Sequence, residues 1–182
     1  MDKIATHDSA TGEKCKGLLS YLVWIFSVTQ GKTIKEQYDA GCRYFDLRVK
    51  LDKHNVWRCA HGLWTAKPTF MDILNEINSF GEPCYVDITY EIRLTDEEKE
   101  KFLELVDSVN ETYKNILICS VNLKKPTWTN VRNYHSVPLR GEFVHLDGSS
   151  WHTYIPLPWL WKKIYYDEPK FNEDYYTMVD FL

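Results

Sequence analysis

No surplus of positive charge marks this sequence. Its 22 Lys and Arg are outnumbered by 26 Asp and Glu, a formal net charge of −4, and no Lys/Arg cluster breaks that balance. A nucleic-acid binder would carry a basic face, so that partner class is excluded. No CxxC pair and no metal-type spacing joins Cys15, Cys42, Cys59, Cys84 and Cys119. Odd in number and scattered through apolar segments, they read as buried, reduced thiols. No leader pattern precedes the first apolar pulse at Ile4-Ala5. The expected setting is cytoplasmic or peripheral to a membrane, and a secreted setting stays open only if a leader has been removed. No hydrophobic run is long enough to cross a bilayer, which takes about 20 apolar residues. The most apolar stretch, GLLSYLVWIFSV from Gly17 to Val28, reads as a buried helix or as a lip that touches a membrane. Nothing in the pattern calls for a stable protein partner.

What is there is a globular composition. A chain of 182 residues, 44% apolar and 26% charged, suits one domain over 1–182 with a buried core. Its 7 Trp and 12 Tyr fit a surface that stacks on sugars or sits at a lipid interface, and equally a packed core. Strand-like and helix-like segments alternate. TIKEQYDAG (33–41) has an N-cap at Thr33, Glu36 three residues on and Gly41 as terminator. CRYFDLRVKL follows, with Tyr44, Asp46 and Arg48 on one strand face and Phe45, Leu47 and Val49 on the other. DKHN turns into the extended VWRCAHG, and TFMDILNEINSFG sets Phe70, Ile73, Leu74 and Ile77 at helical spacing. CYVDITYEI, NILICSV and GEFVHLDG read as strands, and TDEEKEKFLELVDSVNETY as a capped amphipathic helix. This alternation predicts an α/β fold with a parallel sheet. Asp46 and Arg48 share a strand face as catalytic residues do near the carboxyl ends of barrel strands. A complete eight-unit barrel takes about 250 residues, so this chain has room for about five or six units.

A second pointer lies in KIATHDSATGE, where a histidine and a carboxylate stand side by side as a first strand should be ending. Alone, Asp8 and Ser9 would read as a turn or a helix cap, since both accept backbone N–H bonds well. They are not alone: THDSATGE (6–13), TIKEQYDAGCRYFDLRVK (33–50) and CAHGLW (59–64) follow one another in order. This set resembles the catalytic X domain of the phosphatidylinositol-specific phospholipases C. Members carry His-Asp-Ser at the end of strand 1, a TI-x-EQL-x-AG-x-R-[YF]-x-D-[LI]-R helix–strand unit, and a second His in an HG pair. The resemblance runs from Lys3 to about Glu91, half of the chain, and residues 92–182 match poorly.

The resemblance implies a TIM-barrel-like phosphodiesterase fold, shortened relative to eight units. It looks like the metal-independent bacterial branch. The calcium-dependent branch has Asn after its first His and two acidic residues where Asp46 and Arg48 stand. An arginine cannot bind calcium, but its planar fork sets a permanent cation beside a phosphate. No metal and no cofactor are therefore expected. The implied reaction is cleavage of the phosphoric diester of phosphatidylinositol-type phospholipid at a membrane surface, giving diacylglycerol and cyclic inositol phosphate. In it His7 would be the base toward the inositol 2-hydroxyl and His61 the acid toward the leaving oxygen. Arg48 would neutralise the non-bridging oxygens, Asp8 would hydrogen-bond His61 and raise its pKa, and Asp46 would orient Arg48. Histidine suits both proton roles because its pKa lies near neutrality.

The sequence also departs from that pattern. The bacterial enzymes bring a basic residue from strand 3 to the substrate, whereas YVDITYEI offers none and Arg93 is the nearest cation. Arg140 and Asp147 in RGEFVHLDG are the candidates for head-group contacts from the second half, and Trp151 to Trp161 for a membrane contact. No acid to orient His7 is identifiable, and EDYYTMVDFL reads either as a final unit or as a truncation point. His54, His135, His145 and His152 read as structural or solvated. Two other readings stand beside the main one: a phosphodiesterase for a different head group, and an inactive domain that binds phospholipid or inositol phosphate.

Overall fold

Three helices of this computed structural model begin on the same device. Thr33 with Glu36, Thr69 with Asp72 and Thr95 with Glu98 form reciprocal capping boxes that satisfy the first free backbone donors of α2 (Ile34–Asp39), α3 (Phe70–Ser79) and α4 (Asp96–Thr112). The structure describes residues 3–92, 95–123, 129–142, 171, 173–180 and 182. Ahead of these helices lie β1 (Ile4–Thr6), a 3-10 turn (Ser9–Gly12) and α1 (Gly17–Ser27). The remaining strands are β2 (Cys42–Leu51), β3 (Trp57–His61), β4 (Trp64–Thr65), β5 (Cys84–Tyr90), β6 (Ile116–Leu123), β7 (Thr129–Asn133), β8 (Leu139–Glu142) and β9 (Tyr176–Val179).

These strands form one sheet in the order β7-β6-β5-β2-β1-β9-β8, with β3 and β4 branching from β2. β6, β5, β2, β1, β9 and β8 run parallel, and β7 and β3 are antiparallel to their neighbours. The fold is thus α/β with a mainly parallel sheet, as the alternation predicts. The order grows outward from β1 in both directions, and among the described residues no pairing joins the terminal β7 to β8. The tail read as a final unit or a truncation point holds β9, docked between β1 and β8. GEFVHLDG begins in β8; its residues from 143 onward lie outside the described residues.

The period-2 pattern of β2 is realised. Phe45, Leu47 and Val49 are fully buried in the main core, with Val86, Ile88, Ile118 and the inward faces of α3 and α4. Each such side chain contributes about 1.5–3 kcal/mol by leaving water. On the opposite face Tyr44, Tyr85 and Tyr176 pack ring against ring, with centroids 5.5–6.1 Å apart, beside Ala5, Cys119 and Met178. This aromatic plug fills the end of the sheet where the strands start. One step further along the same strands the face turns charged, at His7, Asp46, Arg48 and Asp180. All five cysteines are free thiols, four buried and Cys15 partly so. The apolar stretch at 17–28 forms α1 but is not a buried helix: Leu18, Leu19, Tyr21, Leu22 and Phe26 are exposed.

The turn after β1 is pressed against the segment before α2. The side-chain amide of Gln37 donates to Ser9 O (2.7 Å) and to Lys32 O (2.6 Å), and a Cβ at Gly12 would overlap that pinned Lys32 carbonyl. Gly12→Ala is therefore expected to cost about 1–3 kcal/mol of overpacking. Gly31→Ala, which would meet nothing within 4 Å, should be neutral or slightly stabilising. Thermal denaturation of the pair checks this: equal melting temperatures would contradict it.

Candidate active site

Four strand ends deliver the charged cluster. His7 is the first residue past β1, Asp180 the first past β9, Arg48 lies in the last half of β2, and Glu91 follows β5. Loop and strand ends at the carboxyl edge of a parallel sheet are where such folds place ligands. His61 ends β3, which folds back on β2. The end of β1 is held by Gln30, whose fully buried amide donates to His7 O (3.1 Å) and Val179 O (2.8 Å) and accepts from Leu182 N (3.1 Å). Asp8 takes the left-handed conformation (φ 45°, ψ 47°), which Asp tolerates better than most residues. Its N–H donates to Asp46 Oδ2 (3.2 Å) and its carbonyl starts the 3-10 turn.

The Asp8 carboxylate is the centre of the arrangement. One oxygen pairs with Arg48 Nε, and the other lies 3.6 Å from His7 Nε2 and 3.4 Å from His61 Nδ1. Asp46 Oδ2 is 3.5 Å from Arg48 Nε, and Glu91 Oε2 is 3.9 Å from Arg48 Nη1. Asp8, Glu91 and Asp180 are at most 3% exposed and Asp46 and Arg48 at most 8%, so the guanidinium charge is matched by carboxylates inside the protein. A buried cation of this kind is sustained only by such partners. Burial works against Arg48's charge, but Asp8 and then Asp46 and Glu91 outweigh it and raise its pKa further.

Hydrogen-bond roles fix the tautomers. A carboxylate accepts, so the 2.8 Å contact of His7 Nδ1 with Asp180 Oδ1 places a proton on Nδ1. A guanidinium only donates, so Nε2, 2.5 Å from Arg48 Nη2, presents its lone pair. His61 Nδ1 donates to Ser27 O (2.8 Å), which turns its Nε2 the other way. Burial disfavours a charged His7, yet Asp8 and the bond to Asp180 more than offset it. The imidazole's pKa is raised above the ordinary histidine value, with Arg48 opposing.

Of the residues singled out in the sequence, His7, Asp8, Asp46, Arg48 and His61 are brought together. Arg93 and Asp147, and the tract Trp151 to Trp161, lie outside the described residues. Arg140 stands on β8 in register with Thr177, and its side chain is also outside them. Asp180 and Glu91 complete the cluster and carried no sequence signal of their own. The one hint was positional: Asp180 follows the pulse TMV as His7 follows IAT. Among the described residues, His7, Asp8 and Asp46 have donor atoms within 4.8 Å of one another, close enough to share a cation. The Arg48 guanidinium already faces all three of them.

No family model and no curated protein matches the chain in sequence. Solved structures do match. The phosphatidylinositol-specific phospholipase C from Listeria monocytogenes is 16% identical with a TM-score of 0.53, over 78% of this chain and 60% of that one. A doubly substituted form of the corresponding phospholipase from Staphylococcus aureus is 18% identical with a TM-score of 0.48, over 66% of this chain and 47% of that one. The chain thus spans three-fifths of the length of the first structure. The likeness to the Listeria enzyme is one of fold, and the fold places the charged cluster at the carboxyl ends of its parallel strands.

Proposed function

We propose that this chain is a phosphodiesterase of the phosphatidylinositol-specific phospholipase C type, built on a shortened, barrel-like fold. One observation supports the reading above the others: two imidazoles and a guanidinium converge on the carboxylate of Asp8 from three separate segments. Internal cleavage of a phosphodiester needs a base, an acid and positive charge on the phosphoryl oxygens, and this group supplies all three. His7 Nε2 takes the proton of the head-group hydroxyl next to the phosphate, and that oxygen bonds to phosphorus. The bond from phosphorus to the diacylglycerol oxygen breaks, and His61 protonates the departing oxygen. The products are diacylglycerol and a cyclic inositol phosphate, with no water consumed. Asp180 holds His7 in the tautomer that keeps a lone pair on Nε2. The Arg48 guanidinium sits there in the resting structure and must yield to the hydroxyl, and Arg48 takes the charge-balancing role a metal would otherwise fill.

The exposed helix α1 supports a lipid substrate at a membrane surface. From Gly17 to Gly31 there is no charged residue, and Leu18, Leu19, Tyr21, Leu22 and Phe26 face outward. α1 ends at Ser27, whose carbonyl holds His61, and Leu63, 68% exposed, follows His61 by two residues. No helix among the described residues is long and apolar enough to cross a membrane, so this face would lie in the interface plane. Each inserted Leu or Phe contributes about 1.5–3 kcal/mol.

Release of cyclic inositol phosphate from phosphatidylinositol is the direct test. His7→Ala and His61→Ala should each lower kcat by about 10²–10⁴-fold, the usual contribution of a positioned acid or base. EDTA should leave the rate unchanged. Turnover of another phosphodiester alone would move the head group, and binding without turnover would refute the catalytic reading.

The pH profile follows from His7. The base works deprotonated and its pKa is raised, so kcat/KM should rise with pH along a limb above the ordinary histidine value near 6.5. Asp180 raises that pKa, so Asp180→Asn should move the limb to lower pH while reducing kcat; an unmoved limb would detach Asp180 from the base. For the membrane face, Leu18→Ser/Leu22→Ser should sediment less with phosphatidylcholine vesicles at any ionic strength. The same variant should cleave a soluble short-chain substrate as the parent does. Undiminished sedimentation would sink the docking claim.

A further inference from the structure

The hairpin that carries His61 is packed at its base by Cys59 and Trp64, but its tip, Gly62 and Leu63, has little to hold it by packing. β3 and β4 are joined through Gly62 and Leu63, with His61 and Trp64 in register across the hairpin. Gly62 sits at φ +60°, a conformation that favours glycine, and Leu63 projects into solvent. Two side chains grip the Gly62 peptide instead. Its N–H donates to Glu91 Oε1 (2.9 Å), and its carbonyl accepts from Lys50 Nζ (3.0 Å). Lys50 reaches it from two residues beyond Arg48 on β2, and Glu91 from just past β5, so the turn is tied to the strand that carries the guanidinium and to that strand's neighbour.

We propose that Glu91 is the positioning residue for His61. One of its oxygens fixes the backbone next to the imidazole, and the other faces Arg48, so the acid and the phosphate-binding cation are held in register by one buried side chain. This inference rests on the phosphodiesterase reading for its kinetic consequence but not for its geometry. The contact lengths rank the two duties: 2.9 Å to Gly62 N–H against 3.9 Å to Arg48 Nη1. Glu91 is 2% exposed and so cannot itself reach a substrate from this position. Nearby charges agree with the geometry. Lys50 is half-buried, which depresses its ammonium, and Glu91 is the group that opposes the depression. The segment YVDITYEI, in which the family resemblance leads one to expect a basic residue, thus carries instead, at Glu91, a carboxylate that organises a turn.

Three variants of the full chain test this: Glu91→Ala, Glu91→Gln and Lys50→Met. A glutamine side-chain oxygen can still accept the Gly62 N–H. Misplacing an acid by about 1 Å costs on the order of 100-fold, so Glu91→Ala should lose about 10–100-fold in kcat with KM within about threefold. Glu91→Gln should recover most of that loss. The second readout needs no activity. The His61 Nδ1 proton, held by Ser27 O, should give a slowly exchanging imidazole resonance in the parent and in Glu91→Gln, assigned by its loss in His61→Ala. It should vanish or broaden in Glu91→Ala and weaken in Lys50→Met. Retention of that resonance in Glu91→Ala overturns the proposal, as does a Glu91→Gln variant as impaired as Glu91→Ala, which would make the charge on Arg48 the point of Glu91. If the parent turns over no phosphatidylinositol, the resonance alone decides the positioning role and the failure belongs to the catalytic reading. If Glu91→Ala does not fold, Lys50→Met carries the test, and an unchanged His61 resonance in it overturns the clamp.

Discussion

The Asp8 carboxylate, almost wholly buried, must find partners for its charge, and it finds an arginine and two histidines. Taking such a charge out of water costs several kcal/mol unless the geometry is good, so the surrounding chain is organised to make it good. The left-handed backbone at Asp8 is one contribution. The bond from its N–H to Asp46 is another, since it locks the loop after β1 to the strand that carries Arg48. Gln30 and Gln37 bind the same loop to its neighbours through backbone carbonyls. Removing any of these would loosen a charged group with no water to receive it.

Charge balance separates this site from a plain cationic phosphate pocket. Asp8, Asp46 and Glu91 all approach Arg48, and Asp180 holds His7. The resting protein therefore spends its guanidinium on its own carboxylates. Any further group that bound there would compete for donors already engaged, in a direction the strands have set. The low exposure of the cluster makes each of these interactions stronger than it would be at the surface.

Much of this was legible in the sequence because it is local. The Thr33–Glu36 box, the Phe45/Leu47/Val49 alternation and the Phe70/Ile73/Leu74/Ile77 spacing each lie within one element, and the elements formed as their periods predict. His7, Asp8, Asp46, Arg48 and His61 were legible as a pattern of types in order. Asp180, Glu91 and Gln30 were not legible. Their meaning depends on which strands are neighbours, and sheet order is not written in periodicity. His7 and Asp180 are 173 positions apart and meet only because β9 docks beside β1. The exposure of α1 was undetermined for a related reason: an all-round apolar helix has the same pattern whether protein or lipid covers it.

That last strand has a bearing on how the molecule comes into being. A chain folded only as far as β6 already contains both imidazoles and the guanidinium, yet the first imidazole still lacks Asp180, 173 positions further on, to hold its Nδ1 proton. Pairing β9 with β1 closes one of the longest loops in the fold, the kind of contact that forms late. The charged cluster is thereby complete only once β9 has docked beside β1.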